Sequence, residues 1–99
     1  MGETILDAPL EPDWVLGVVS DTETRDRGYI FLRDSDENEY FAHRAGFVSQ
    51  AVFARLEQGD GVCFRYRQTS KGRRAALIRE ATVPEQVEIA EWEESRGNR

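Results

Sequence analysis

Apolar side chains in this sequence fall into short runs, each closed by a cluster of glycine, proline or charged residues. Residues 14–20 form the first run, continuous and rich in valine, which predicts a strand with Gly17 as a bulge or bend. Residues 21–27 are wholly polar and predict a turn. Residues 28–33 and 39–44 then read as a second and third strand around a hairpin loop at 34–38. The stretch 45–56 predicts a loop with a short helical turn, and 58–61 a further turn. Strand four follows over 62–68, a hairpin turn over 70–73, and strand five over 74–80. Five short strands separated by turn signals predict an all-β fold, a small antiparallel barrel spanning residues 14–80. Pro9 and Pro12 make residues 1–13 an extended arm, and residues 81–99 form a tail. In the tail, Thr82-x-x-Glu85 is a capping-box pattern. Val87, Ile89, Ala90 and Trp92 follow as a partial apolar stripe, so a short amphipathic helix over 83–95 is expected.

Strand alternation sorts the side chains into faces. Ile30 and Leu32 share one face of strand two, Tyr29 and Phe31 the other; Tyr40 and Ala42 oppose Phe41 and His43 on strand three. A barrel this small has no room inside for both sets. One face of these neighbouring strands is therefore expected to carry rings on the outside. On strand four, Val62, Phe64 and Tyr66 alternate with Cys63, Arg65 and Arg67. Phe47 and Phe53, in the long connection, either extend the ring surface or plug the barrel end.

Ninety-nine residues allow one domain, with no room for separate cofactor and substrate domains. The net charge of −6 argues against nucleic acid until it is divided along the chain. Residues 1–14 hold four acids and no base; residues 81–99 hold five acids against Arg96 and Arg99. Residues 15–80 carry eleven bases and ten acids, and Arg65, Arg67, Lys71, Arg73 and Arg74 lie close together in sequence. The acidity belongs to the two ends. The longest apolar run, 14–19, is far too short to span a bilayer, so no membrane role is expected. Glu3 and Asp7 stand where a signal peptide would be basic, and Leu6 stands where a myristoylation signal starting Met1-Gly2 needs Ser or Thr. One cysteine, Cys63, and one histidine, His43, provide neither a disulfide nor a zinc cluster. A cytoplasmic setting fits. No spacing of acids suggests a general acid–base pair, and Gly59-Asp60-Gly61 is a turn rather than a phosphate loop, so neither catalysis nor a cofactor is expected.

Arg27-Gly28-Tyr29-Ile30-Phe31-Leu32 resembles the first ribonucleoprotein motif of cold-shock domains, and Tyr40-Phe41-Ala42-His43 the second. Residues 56–64, from Leu56 through Gly59 to Phe64, are similar to the family's segment before strand four. Residues 71–78 are similar to its closing strand. The resemblance covers about residues 15–80. It implies an oligonucleotide-binding (OB) barrel that grips single-stranded RNA or DNA, acting as an RNA chaperone. Tyr29, Phe31, Phe41 and His43 would stack on bases, and Arg27 would meet a phosphate in place of the motif's Lys. Arg44, Arg65, Arg67, Lys71 and Arg73 complete the expected binding set. The sequence departs from the family where strand one normally ends Lys-Trp-Phe: Ser20-Asp21-Thr22-Glu23 stands there, and Arg44 replaces the aromatic after His43. Ile30 fills a position normally held by Gly. These losses imply a narrower binding surface. They also leave open a second reading, a barrel repurposed as a protein-interaction subunit of a larger nucleoprotein complex, with a protein partner engaged through Val87, Ile89 and Trp92 of the tail. A third reading has the tail fold over the basic-aromatic face and compete with nucleic acid.

Overall fold

The computed structural model describes residues 8–97; the features expected at residues 1–7, and residues 98–99, lie outside that range. Five strands, β1 (Val15–Asp21), β2 (Tyr29–Asp34), β3 (Glu39–His43), β4 (Gly61–Thr69) and β5 (Gly72–Glu80), close into a barrel in the order β1-β2-β3-β5-β4. A short helix, α1 (Gln50–Arg55), links β3 to β4, and α2 (Val83–Gly97) follows β5. The barrel is mixed rather than antiparallel throughout: β3 and β5 run parallel, while the other neighbours are antiparallel. With the 15-residue α2, the fold is also not purely β.

Alternation fills the interior as the pattern implies. Val19, Ile30, Leu32, Tyr40, Ala42, Val62, Phe64, Ala75 and Ile78 form the core, and Phe47 and Phe53 close it with ring centroids 5.1 Å apart. The two phenylalanines therefore plug the barrel and do not extend the ring surface. Ser49 caps α1, accepting from Val52 N–H at 3.2 Å, and Arg25 fastens the helix end by donating to Ala54 and Leu56 carbonyls. Gly17 is not a bulge. A Cβ there would lie 2.5 Å from the Arg33 carbonyl oxygen and 3.1 Å from the Phe64 ring, so glycine lets β1 approach the wall of the barrel. The register shift in β1 falls instead between Val19 and Asp21.

Asp34 fixes the β2–β3 hairpin. Its carboxylate accepts from the Asp36 and Asn38 backbone N–H groups at 2.9 and 3.0 Å, and from the Asn38 side chain at 3.1 Å. Tyr40 O–H adds a fourth bond at 2.7 Å. Burial acts to raise the Asp34 pKa, but these hydrogen bonds outweigh it and hold the carboxyl below its usual value. Burial, with Asp34 as neighbour, raises that of Tyr40.

Outside the barrel, a second small core forms where α2 lies against β1 and β4. Val18, Ala81 and Ile89 are buried there, with Leu16 and Trp92 packed around them. Gly61 makes room: a Cβ would stand 3.0 Å from Ile89 Cδ1. The capping box is formed, with Thr82 N–H donating to Glu85 Oε1 at 2.8 Å and Glu85 N–H to Thr82 Oγ1 at 3.4 Å. Val87 is 54% exposed and lies off the packed stripe, which runs through Glu85, Ile89 and Trp92 at helical spacing.

Candidate nucleic-acid interface

The pairing of β2 with β3 sets Tyr29 opposite His43 and Phe31 opposite Phe41. Ile30 and Leu32, opposite Ala42 and Tyr40, take the inward positions, so all four rings stand on the outer face. Tyr29 and Phe41 have ring centroids 4.8 Å apart at 31°, and Phe31 meets them edge-on at 5.7 and 6.0 Å. His43 continues the row 6.5 Å beyond Phe41. The rings are half-buried by one another, leaving flat apolar surface toward solvent.

His43 is held by its own turn. Its Nδ1 accepts from Ala45 N–H at 3.0 Å, which leaves the proton of a neutral imidazole on Nε2. Burial, then the positive charges of Arg74 and Arg44, lower its pKa below the usual value. The ring is thus a neutral, flat surface at neutral pH, suited to stacking.

The expected basic residues divide among several places. Arg27 is exposed in the turn before β2, and Arg44 is exposed just after β3, its backbone N–H bonded to the Gly28 carbonyl at 2.8 Å. Those two flank the ring row. Lys71 is exposed at the β4–β5 hairpin. Arg65 and Arg67 are half-buried and donate to the backbone carbonyls of Glu11 and Ala8, where they fasten the N-terminal arm across β4. Arg73 lies with the interior rings, its guanidinium 5.7 Å from Tyr40 and 6.0 Å from Tyr66, and it caps one end of the barrel. The residue that stands over the outer row is Arg74, 5.1 Å from the Phe41 ring centroid.

Arg74 belongs to the basic cluster of the sequence but not to the expected binding set; a bulge in β5 turns it outward. Cys63 pairs with Arg79 and Arg65 with Ala76, so β5 has one residue more than β4 over this interval. Leu77, at φ 54°, absorbs it. Counting back from the buried Ile78 in steps of two wrongly turns Arg74 inward; the bulge reverses the faces. Arg33 is a second neighbour outside the expected binding set, next after Phe31 on the same face. It pairs in a bidentate fork with Glu93 of α2 at 3.0 and 3.1 Å.

The C-terminal helix touches the ring sheet at its edge through Arg33, while its packed stripe rests on β1 and β4. Ile89 and Trp92, two of the three tail residues expected to meet a partner, are thus engaged by the barrel itself. Cys63 is buried beside Arg79 and Glu85, and burial raises its thiol pKa. Among the described residues no cluster of His, Cys, Asp or Glu is gathered to hold a metal ion, and no helix is long and apolar enough to cross a membrane. No protein-family model matches the chain, and no curated protein matches it.

Proposed function

We propose that this protein binds single-stranded nucleic acid, with RNA as the first substrate to test, by stacking bases on Tyr29, Phe31 and Phe41. One observation carries the reading. These rings cluster on the outside of a barrel whose interior is already filled, so the core does not account for them. Aromatic stacking holds unpaired bases with about 1–3 kcal/mol per base and without sequence demands. Binding unpaired strands shifts a pairing equilibrium with no chemistry, the behaviour of an RNA chaperone. Two further points support the reading. The strand order, with its single parallel β3–β5 pair, suits an OB-type barrel, and the resemblance to cold-shock domains assigns bases to these same ring positions.

The test is fluorescence anisotropy of a labelled pyrimidine-rich strand at low salt, with RNA and DNA versions compared. The expected result is salt-sensitive binding that drops about 10-fold or more for each of Tyr29→Ala and Phe41→Ala, the equivalent of one lost stack. Absence of binding by the unaltered chain at low salt overturns the proposal. It would turn attention to a protein-interaction subunit, with the exposed Val83 and Val87 of α2 as the surface to examine.

A further inference from the structure

Two surface cavities in the barrel carry opposite charge. The larger, about 630 Å³, lies between α2 and the barrel and is bordered by Asp60, Glu80 and Glu93. No basic residue lines it, so it offers a phosphodiester no partner. The smaller, about 250 Å³, runs across the outside of β5 between the N-terminal arm and the loop after β3, and no acid lines it. Leu10 forms one wall and Val48 the other; Ala76 and Leu77 lie on the floor, and Arg67 and Arg74 supply the charge.

Three observations mark this groove. Val48 and Leu77 are 58% and 43% exposed, large apolar side chains that the core does not use. Leu77 holds its place on the bulge in the left-handed region of backbone space, where glycine fits without strain. Arg74, which lines the groove, is the same residue that stands over Phe41. Groove and ring row are therefore continuous, joined by a guanidinium that has an aromatic face on one side and an apolar trough on the other.

The geometry points to a second nucleotide subsite in this groove. A strand stacked on the rings crosses Arg74 and places a further base against Leu77, Val48 and Leu10, with its phosphate between Arg74 and Arg67. The N-terminal arm is then part of the binding surface. It is held in place by the Leu10–Arg67 bridge and by the bond from Glu11 N–H to the Tyr66 carbonyl at 2.7 Å. This subsite rests on the nucleic-acid reading above, and it commits to the same ligand: an apolar floor with paired guanidinium groups matches a base and its phosphate.

The experiment measures affinity of the full chain for labelled pyrimidine strands of about four and about eight nucleotides, both within the span that one such barrel covers. Ala76→Phe fills the groove floor from an outward position of β5, and Phe41→Ala removes the ring row. The unaltered chain should bind the longer strand at least about 10-fold tighter, the worth of one added contact. Ala76→Phe should keep the short-strand affinity and lose that gain, whereas Phe41→Ala should weaken both strands. Leu77→Gly, which relaxes the backbone while deleting the apolar floor, should also lose part of the gain, and it serves if Ala76→Phe does not fold. If both groove variants bind the longer strand as the unaltered chain does while Phe41→Ala is impaired, the groove inference falls and the ring platform stands. If the unaltered chain binds neither strand, both fall.

Discussion

The outside of β1 and the outside of β2–β3 are neighbouring strips of one barrel, and they solve the same problem differently. Both present apolar side chains away from the core. On β1 they are aliphatic, Leu16 and Val18, and α2 lies over them with Ile89 and Trp92. On β2 and β3 they are aromatic, and the rings shelter one another edge to face. Aliphatic surface gains most by being covered, because its only favourable exchange is removal from water. Rings keep a face that a base or a cation can stack on after their edges are packed. The border between the strips is the Arg33–Glu93 fork, which ties α2 to the edge of the open row. The covered strip thus serves stability, and the open one is the surface on which the proposed stacking rests.

The largest effect comes from disturbing the frame that both strips share. Gly17→Ala drives a methyl group into the Arg33 carbonyl oxygen and the Phe64 ring, and overpacking at a rigid backbone contact costs about 3 kcal/mol. Urea unfolding should show a lower midpoint, and both the helix signal and strand binding should be lost together. Next comes Ile89→Ala, which empties the small core under α2. Its expected cost is about 2 kcal/mol, the lower end for a buried isoleucine because this satellite cluster is small. Here the two strips should part: α2 loosens, read as reduced amide protection over 83–97, while affinity for a short pyrimidine strand is kept. A parallel loss of binding would show that the strips depend on each other.

Acid separates them as well. Glu85 has its pKa lowered to about 2, first by the hydrogen bonds from Arg79 and then by the Thr82 backbone N–H. A carboxylate whose folded pKa lies below its unfolded one contributes stability above the unfolded value, and that stability is lost as pH falls through the folded one. The cap of α2 should therefore weaken from about pH 4.5 down to about 2. Asp34, also lowered, should release the β2–β3 hairpin over an overlapping range. His43 acts earlier. Its folded pKa lies below the unfolded value of about 6.5, so the unfolded chain takes up the proton first and stability declines modestly as pH falls below that value. The unfolding midpoint measured from pH 7 to 2 should decline first modestly below about 6.5 and then more steeply below about 4.5, and His43→Gln should remove the early part alone.

Much of this architecture is legible in the chain. Strand positions follow from short apolar runs, and the outward rings from strict alternation in residues 29–32 and 40–43, where no bulge intervenes. The capping box locates the start of α2 because it is a local pattern of hydrogen bonds. What escapes is non-local. The bulge at Leu77 sets Arg74 over the outer rings and Arg73 with the interior ones, and a left-handed leucine carries no sequence signal. The parallel β3–β5 pair depends on how the barrel closes. Arg65 and Arg67 look like a solvent-facing basic cluster, but the arm that they fasten lies more than fifty residues earlier in the chain. Covering of β1 by α2 is likewise a tertiary fact, and the acidic tail alone does not reveal whether it meets the ring face or the strip beside it.

The smallest expected effect lies on the border itself. Glu93→Gln removes one charge of the Arg33–Glu93 fork, whose side chains are about a quarter to a third exposed, and such pairs contribute less than about 1 kcal/mol. Unfolding should hardly change. Binding is the more sensitive readout, because Arg33 stands next after Phe31 on the ring face and its guanidinium is occupied by a carboxylate from the covering strip. Freed of that charge, Arg33 becomes available to a phosphate at the end of the row. The salt dependence of single-strand binding should then steepen by about 0.7 in log–log slope, the value for one added phosphate contact. An increase in affinity with an unchanged slope would mean that Glu93 acts only by repulsion. No change in either would place the strand's path away from Arg33, and the open strip would end at Phe31.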